Sequence, residues 1–517
     1  MSESDQMPGA DEAVPGATDA AEQAFDGVQE AVQQAVHPEA PLTVRGHTPR
    51  VAILVYNDAH ADARVLKTAA TLRAAGCEVR ILAVARERAG YPEGGETLPN
   101  GVQIVRLPEF QLARSAPWLA HAYRWVLDRL RRVAGAEEPT AAASGPVSGA
   151  FRSPSDGSTT PTHPTAAPAE PAGTPAPAAA AKPVGALLDL WLRTYRTVSL
   201  AIYWRAAIAD GVAFAPDVIH ANDGNTLYPA MRIARHTRAR LVYDAHELWR
   251  HRNVRPRPVA PHVEHLMERL GIRRATSVIT VSPSIAAWLH RTYRLPRTPA
   301  LVRNIPAAAP VPDPAQGLLR ERAGLDPQTP VIAYGGRITT SRGIEETIDA
   351  LAHLPEIHLV LLGYGEEDYL AVVRRRARAA GVEERVHMVG AVPSAEVATA
   401  LADADLSVVY VRPACLSYEY SLPNKLFESI HAGLPIVAAD LPDTKAVVLE
   451  YGVGEIFAVD GGPAELAAAM QRVLADPQAY RAAAREAAAA LTWEGEAEVL
   501  LAEYRRVLGH RAGRGHT

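Results

Sequence analysis

Cysteine is nearly absent from this chain of 517 residues, which contains only Cys77 and Cys415. So few cysteines exclude a disulfide framework and a cysteine-rich zinc site, and they suit a reducing compartment. The N-terminus also lacks a basic start followed by an apolar run, and no stretch reaches the roughly 18 consecutive apolar residues of a membrane span. We therefore expect a cytoplasmic protein without a signal peptide, free in solution or peripheral at the inner face of the cell membrane.

An excess of positive charge is missing as well. The chain carries 53 Lys and Arg against 58 Asp and Glu, which gives a formal net charge of -5. This balance provides no general attraction for nucleic acid or for anionic lipid. We expect no nucleic-acid partner, and any membrane contact must be local.

Several ligand-binding motifs do not occur. No G-x-G-x-x-G fingerprint and no P-loop follows a first strand, and neither H-x₃-H nor H-E-x-x-H is present. A nicotinamide enzyme, a P-loop ATPase and a histidine-based metal site thereby lose their main support. We predict no cofactor and no metal.

Two segments differ in composition from the rest of the chain. Residues 1–46 are acidic and almost free of large apolar side chains, and residues 136–183 are rich in Ala, Pro, Thr and Ser. Neither segment can offset the entropy of ordering by burying apolar surface. We predict a disordered tail and a disordered insert.

The remaining chain alternates short apolar strands with helical patterns. "VAILVY" from Val51, a helical pattern closed by Gly76 and the strand "EVRILAVA" form one βαβ unit, and similar units follow. This alternation predicts the α/β class, with two Rossmann-like, doubly wound domains that face each other across a cleft. The expected bounds are 47–306 for the N-terminal domain, which the insert interrupts, 307–490 for the C-terminal domain, and 491–510 for a final helix that packs back on the N-terminal domain.

The stretch "SLPNKLFESIHAGLPIVAAD" begins at Ser421 and predicts a helix N-terminus followed by a buried strand. Ser421 is a candidate cap, and Asn424, Lys425 and Glu428 can share one helix face. A helix N-terminus binds anions because its first N–H groups are free. We interpret the stretch as a phosphate and hydroxyl site; the alternative is an ordinary capped surface helix.

The stretch "GGRITTSRG" predicts a second phosphate-binding site. Gly335 and Gly336 let a ligand approach the backbone, and the guanidiniums of Arg337 and Arg342 would neutralise a diphosphate. An arginine on a loop is usually solvated. This loop and the helix N-terminus after Ser421 lie at neighbouring strand ends of one predicted sheet, which favours a shared ligand site.

Polar clusters also follow strands of the N-terminal domain. The candidate acceptor-side residues are Asn57, Asp62, His220, Asp223, Asp244, His246 and Glu247. They are suited to acid/base work or to contacts with an acceptor, and the alternative is simple loop hydrogen bonding. For Asp62 the competing interpretation is a cap on the following helix.

Two segments rich in aromatic residues and Arg flank the insert, at 116–133 and 184–208. Aromatic residues on one face and Arg on another are typical of interfacial amphipathic helices. A helical hairpin packed on its own domain explains the same pattern, and both interpretations stay open.

Taken together, these motifs resemble one large family. Between about residues 50 and 510 the chain carries "PDVIHANDGNTL", "LVYDAHELW", "VITVSPSIAAWL", "GGRITTSRGIEETIDAL", "LVLLGYGEE", "VHMVGAVP" and "SLPNKLFESIHAGLPIVAAD" in the family's order. The sequence thus resembles the retaining, nucleotide-sugar-dependent glycosyltransferases of family four, which have the GT-B fold, and especially the bacterial polysaccharide and cell-envelope members.

The resemblance implies a role for each matching residue. Arg337 and Arg342 would hold the donor diphosphate, Glu428 the ribose hydroxyls, and the backbone near Val392 the base. The amides near Ser421 and Leu422 would cradle the distal phosphate, and Lys425 with the helix N-terminus would stabilise the leaving group. His246 would line the sugar near the reacting carbon. A front-face, metal-independent hexosyl transfer to a glycan or lipid-linked acceptor, with retained anomeric configuration, is the implied reaction.

The chain departs from the family's pattern at two positions. Tyr420 stands where the E-x₇-E pattern has its first Glu, and Arg342 replaces the usual Lys. Arg keeps the charge, whereas Tyr removes a carboxylate that contacts the donor sugar. Asn424 and Lys425 would then take over part of that contact. An epimerase or phosphorylase on the same fold has no matching motif, and the remaining alternative is a catalytically impaired nucleotide-sugar-binding or scaffold protein.

Overall fold

The computed structural model describes residues 41–60, 62–87, 90–110, 181–252 and 260–509. Most of the predicted acidic tail, nearly all of the predicted insert and the whole aromatic segment 116–133 lie outside the described residues.

The first domain is built on an eight-stranded sheet. Its strands are β1 (Arg50–Leu54), β2 (Glu78–Val84), β3 (Gly94–Thr97), β4 (Gln103–Leu107), β5 (Val218–Asn222), β6 (Arg240–Ala245), β7 (Ser277–Thr280) and β8 (Ala300–Leu301). The order is β3-β4-β2-β1-β5-β6-β7-β8, and β3 runs antiparallel to β4 while the other pairs are parallel. The order in which strands are added to the sheet reverses between β1 and β5, and ligands of such sheets bind outside the carboxyl ends of the strands at that switch point.

The second domain is built on a six-stranded parallel sheet. Its strands are β9 (Val331–Gly335), β10 (His358–Leu362), β11 (Val386–Met388), β12 (Leu406–Val409), β13 (Ile436–Ala439) and β14 (Gly454–Phe457). The order is β11-β10-β9-β12-β13-β14, which places the switch point between β9 and β12. Two facing doubly wound domains confirm the predicted α/β architecture.

Fifteen α-helices are present within the described ranges. Those of the first domain are α1 (Ala63–Ala74), α2 (Ala181–Phe214), α3 (Gly224–Thr237), α4 (Ala260–Ile272) and α5 (Pro283–Tyr293). Those that follow are α6 (Leu319–Ala323), α7 (Ile344–Ala350), α8 (Glu367–Ala379), α9 (Val397–Leu401), α10 (Leu416–Glu419), α11 (Asn424–His431), α12 (Pro442–Tyr451), α13 (Gly462–Ala475), α14 (Pro477–Ala490) and α15 (Trp493–Gly509).

The central strands are apolar runs because helices cover both faces of each sheet. β1, for example, is buried from Val51 to Leu54, and β9 is buried along its whole length. The last helix, α15, packs on the first domain: Trp493 and Tyr504 belong to the same apolar core as Val51, and the Trp493 indole donates to Thr71 Oγ1 at 3.0 Å.

The C-terminal half of α2 also packs on the first domain. Tyr203 and Phe214 are buried in its core, and the Tyr203 hydroxyl donates to the Leu82 carbonyl at 3.1 Å. These contacts favour the packed interpretation for this half of the helix. Across the described ranges, no helix combines the length and the apolar character needed to cross a membrane.

The two domains meet beyond the carboxyl ends of their strands. Asp443 in α12 accepts from the backbone N–H and the hydroxyl of Ser284 at 3.0 and 2.9 Å. The Ser282 hydroxyl donates to the Tyr420 carbonyl at 2.6 Å, and the Leu248 N–H donates to Ser417 Oγ at 3.1 Å. The carboxyl edges of both sheets therefore face one cleft.

Candidate active site

A pocket of about 210 Å³ lies in this cleft. Its walls come from α1 with Lys67, from the connection between the domains around Asn304 and Pro306, and from α11 with Asn424 and Glu428. The pocket thus joins the predicted donor helix to a helix of the first domain.

The helix α11 begins after Pro423, and no side chain caps its first turn. The predicted cap, Ser421, points backwards: its hydroxyl donates to the Tyr418 carbonyl at 2.8 Å, and its N–H donates to the same carbonyl at 3.2 Å. The prediction that Ser421 caps this helix is therefore wrong. The reason is that the preceding short helix α10 continues into a turn that uses both groups of Ser421.

Lys425 lies at the switch point of the second sheet. Its ammonium donates to the Tyr410 carbonyl after β12 at 3.0 Å and lies 4.6 Å from the centre of the Tyr334 ring in β9. The side chain is buried, and this burial, together with the charge of Arg342, holds the pKa of Lys425 well below its usual value despite the opposite effect of Glu428. An anionic ligand at this point would restore the charged form.

Glu428 faces Lys67 across the pocket. Burial raises the pKa of Glu428 to about 7, although the charges of Lys67 and Lys425 act in the opposite direction. Burial likewise lowers the pKa of Lys67 to about 7, and its ammonium donates to the Ile305 carbonyl at 2.6 Å. Both groups are therefore poised to change protonation near neutral pH. Sequence reasoning missed Lys67; a basic residue one turn into the helix after β1 was the available signal.

The loop after β9 carries both predicted guanidiniums. Gly336 has a φ of +117°, and a side chain there would project into open space, so the backbone is exposed to a ligand. Arg337 is half-exposed, and its nearest carboxylate, that of Glu366, is 3.9 Å away. The Arg342 guanidinium lies 5.0 Å from the centre of the Tyr418 ring. Because the guanidiniums have only weak contacts, both are available for an anion.

The loop begins with Gly335, the last residue of β9, and Gly343 starts the following helix. Gly343 has a φ of +72°, and a β-carbon there would lie 2.3 Å from the Tyr410 ring. Only glycine fits this position, which keeps the arginine loop close to the end of β12.

The other predicted donor contacts are less exposed. Leu422 is buried in the core beneath α11, and Val392 is half-buried in the loop after β11. Tyr420 is half-buried and packs against the apolar core of the first domain. The residue that replaces the family's first Glu thus contributes to the contact between the domains.

In the first domain, Asp244 forms a buried ion pair that sequence reasoning did not anticipate. Both of its oxygens accept from Arg64, at 2.8 and 2.7 Å, and the two side chains are 0% and 4% exposed. Although burial acts against it, the charge of Arg64 holds the pKa of Asp244 well below its usual value. His220, also fully buried, contacts Asp244 at 3.3 Å and Tyr504 at 2.9 Å. The prediction that Asp244 and His220 contact the acceptor directly is therefore wrong. Both side chains lack exposed surface, and they position neighbouring residues instead.

His246 stands between two carboxylates at the cleft. Its Nδ1 lies 3.4 Å from Asp223 Oδ2 and its Nε2 lies 3.2 Å from Asp244 Oδ2, the latter as an ion pair without hydrogen-bond alignment. Burial alone would lower the pKa of His246, but the carboxylates of Asp223 and Asp244 raise it to about 10. The imidazolium is thus the stable form, and 22% of the side chain remains exposed. Next to it, burial raises the pKa of Glu247 to about 7.

Asn57 and Asp62 organise the loop after β1. Asp62 caps α1 by accepting from the Val65 N–H at 3.2 Å, and Asn57 donates to Asp62 at 2.8 Å. The capping interpretation of Asp62 explains these contacts.

The described residues thus form a basic second-domain wall, in which an anionic ligand would restore the charged form of Lys425, and an ionised first-domain wall. The first contains Arg337, Arg342 and Lys425, and the second contains Asp223 and His246. This arrangement can hold a diphosphate on one side and polar hydroxyl groups on the other.

Two family models match the chain. The model described as "Glycosyl transferases group 1" matches residues 316–490, and the model described as "Glycosyltransferase Family 4" matches residues 160–304. The first match includes α11 and the arginine loop, and the second includes β5, β6 and β7.

Curated relatives are similar over part of their length. A GDP-mannose-dependent alpha-mannosyltransferase of Mycolicibacterium smegmatis is 27% identical over 45% of this chain and 58% of its own length. A D-inositol 3-phosphate glycosyltransferase of Xylanimonas cellulosilytica is 31% identical over 40% of this chain and 49% of its own length. The chain therefore spans about half the length of these relatives.

Solved structures share the fold across nearly the whole chain. Sucrose-phosphate synthase from Thermosynechococcus elongatus aligns with 89% of this chain and 98% of its own, with a TM-score of 0.59 and 18% identity. Anabaena HepE in complex with UDP and glucose aligns with 88% of this chain and 99% of its own, with a TM-score of 0.56 and 16% identity. These likenesses show the GT-B fold, and together with the two family matches, which cover residues 160–304 and 316–490, they support a glycosyltransferase of the family-four type.

Proposed function

We propose that this protein transfers a sugar from a nucleotide-sugar donor to a glycan or lipid-linked acceptor of the cell envelope, with retention of the anomeric configuration. The observation that carries the proposal is the grouping of Arg337, Arg342, Lys425 and Glu428 around the switch point of the second sheet. Guanidiniums and a helix N-terminus are suited to a diphosphate, and Glu428 is suited to ribose hydroxyls.

In the proposed reaction, the bond between the sugar's anomeric carbon and the donor phosphate oxygen breaks, and a bond to the acceptor oxygen forms on the same face. The acceptor proton passes to the leaving diphosphate. Arg337, Arg342 and Lys425 stabilise the negative charge that develops on that diphosphate. They thereby perform the charge stabilisation that a divalent metal performs in other enzymes. The acceptor binds against Asp223, His246 and Glu247, and domain closure excludes water.

His246 is proposed to line the donor sugar near the reacting carbon. As an imidazolium it presents positive charge toward the donor, while its two N–H groups face the carboxylates of Asp223 and Asp244. Asp244 and Arg64 hold it there. Names of relatives support a nucleoside diphosphate donor, since one relative is GDP-mannose-dependent and one solved neighbour holds UDP and glucose.

The proposed location is the cytoplasm, with contact to the inner membrane face where a lipid-linked acceptor would be presented. The low cysteine content of the sequence, two residues in 517, and the aromatic segment 116–133 support this location. Co-sedimentation with vesicles tests it: deletion of residues 116–133 should reduce vesicle binding, and unchanged binding would contradict the membrane contact.

A donor screen tests the activity. Full-length protein is mixed with UDP-, GDP-, ADP- and TDP-sugars, and thermal stabilisation and release of nucleoside diphosphate are measured. Glu428→Ala should abolish stabilisation, while Glu450→Ala, which removes an exposed glutamate at the end of α12, should not. Stabilisation together with release of nucleoside diphosphate supports the transferase.

The second candidate function is nucleotide-sugar binding without catalysis, which Tyr420 favours because it packs between the domains where the family has a carboxylate. A donor that binds without any turnover in the presence of candidate acceptors would establish that function. Failure of every donor to bind would refute both.

A further inference from the structure

A cavity lined by arginine lies at the amino-terminal edge of the first sheet. Its volume is about 580 Å³, and its walls include Arg240 and Ser277, which begin β6 and β7. The candidate active site lies beyond the carboxyl ends of these strands. The arginine cavity is therefore on the opposite edge of the sheet and cannot share a ligand with the donor pocket.

The arginine cavity concentrates positive charge in a chain whose net charge is -5. The arginines that line it are Arg240, Arg273, Arg274, Arg294, Arg297 and Arg506. Glu503 is the one carboxylate among the lining residues, and it already accepts from Arg506 at 3.0 Å and from the Ser277 hydroxyl at 2.6 Å. Most of the guanidinium charge is thus left without a counter-charge in the cavity.

Two of these guanidiniums are uncommitted. Arg273 follows the end of α4 and Arg294 follows the end of α5, and neither side chain has a hydrogen-bonded or ion-paired partner among the residues that the structure describes. Arg297 is 65% exposed, and its nearest carboxylate, that of Glu503, is 3.9 Å away. Several donors in planar forks at one cavity match the oxygens of a phosphate group.

The cavity also has apolar walls. Leu295 and Ile272, both buried, line it together with Pro296 and Pro299. A concave volume of this size, with both apolar and charged walls, is within the range of small-molecule sites. An inorganic ion alone would leave these walls without a contact.

We propose that the arginine cavity binds a phosphate-bearing organic molecule, with the phosphate held by Arg273, Arg294 and Arg297 and the organic part placed against Leu295 and Pro296. The source is a soluble organic phosphate or the headgroup of an anionic phospholipid. The phospholipid is included as a source because α4, whose last residue Ile272 lines the cavity, also exposes Leu266 and Leu270. The proposal does not depend on the donor reaction.

The first test measures binding of inorganic pyrophosphate to the full-length protein by titration calorimetry. The Arg337→Ala/Arg342→Ala variant serves as the background, because it weakens the proposed donor site. In that background, Arg273→Ala/Arg294→Ala should weaken binding at least about tenfold, since each substitution removes charge-assisted hydrogen bonds.

The matched control is Arg269→Ala/Arg291→Ala, which removes two exposed arginines of the same helices outside the cavity. It should change the affinity by no more than about twofold, because the charge lost is screened by solvent. Equal affinity of the cavity variant and the control variant would overturn the proposal, provided that both keep the thermal midpoint of their background.

The second test uses vesicles of phosphatidylcholine with and without phosphatidylglycerol. If the protein binds pyrophosphate but not phosphatidylglycerol vesicles, the ligand is a soluble phosphate. If it binds phosphatidylglycerol vesicles and Arg273→Ala/Arg294→Ala does not, the ligand is a lipid headgroup. Absence of both kinds of binding overturns the proposal. Donor binding is measured separately with Glu428→Ala, so failure of the proposed transferase leaves the outcome for the cavity readable.

Discussion

We expect the folded protein to lose stability between about pH 6.5 and 10 because His246 has a raised pKa, and we expect replacement of His246 to remove this loss. Its ring lies within 3.4 Å of Asp223 and within 3.2 Å of Asp244, and these carboxylates outweigh burial and raise its pKa from 6.5 to about 10. The imidazolium therefore persists in the folded protein at pH values where the unfolded chain has already lost the proton.

The magnitude follows from the shift. A raised pKa stabilises the folded state fully below the unfolded value of about 6.5, and this contribution is lost as the pH rises through 10. At 1.36 kcal/mol for each pKa unit, the free energy of unfolding should fall by on the order of 5 kcal/mol over this window, less the part screened at the exposed ring edge. Asp223 and Asp244, whose pKa values are lowered, titrate at acid pH and do not add to the change, and Glu247, whose pKa is raised to about 7, is present in both wild type and the His246 variant.

The assay is urea unfolding at a series of pH values from 6 to 10. Wild type should lose stability relative to His246→Gln across this range, and the difference between the two should shrink steadily. The control, His236→Gln, replaces an exposed histidine in the last turn of α3 and should follow wild type. A difference between wild type and His246→Gln that is constant with pH, or that vanishes before pH 8, would refute the reasoning.

Three other substitutions have clear expected outcomes. Arg64→Met removes the bidentate partner of the buried Asp244 carboxylate, which keeps only His246 and His220, and should lower the free energy of unfolding by about 3 kcal/mol in urea unfolding; a loss below about 1 kcal/mol would contradict a buried charge pair. Gly343→Ala meets a ring at 2.3 Å and should lower the thermal midpoint more than Gly381→Ala, which has a similar φ but open space; equal midpoints would contradict the crowding. Lys67→Met removes a charge that lowers the pKa of Glu428. The pH below which donor affinity falls should therefore be higher in this variant than in wild type, and an unchanged pH would show that the two groups do not interact.

The sequence predicted the two sheets because each βαβ unit is a local pattern. Buried apolar strands such as β1 and β9 can be recognised from a few consecutive residues. The edge strand β3 was not predicted: its residues, Gly94 to Thr97, are all exposed, and only the pairing with β4 makes them a strand. Short exposed strands depend on their neighbours more than on their own composition.

The donor side of the candidate site could be predicted for the same reason. Arg337 and Arg342 lie in one loop, and Lys425 and Glu428 lie in one helix, so each group is a local motif. The pairing of Arg64 with Asp244 and the place of Lys67 in the pocket were not predicted because the partners are distant in the chain: Asp244 is 180 residues from Arg64, and the Ile305 carbonyl is 238 residues from Lys67. No periodicity within α1 indicates such partners.

One rule, that polar residues after strands line a ligand site, gave different results in the two domains. Asp244 ends β6, but the guanidinium of Arg64 from α1 reaches over it and excludes it from the cleft. Arg337 follows β9, and no comparable group among the described residues reaches over it, because the glycines of its loop carry no side chains and its guanidinium remains half-exposed. Whether a strand-end residue contacts ligand or positions another residue is thus decided by the helix that crosses the strand end. In the first domain that helix is α1, and the residue left at the cleft is His246, whose charge is set by the carboxylates behind it.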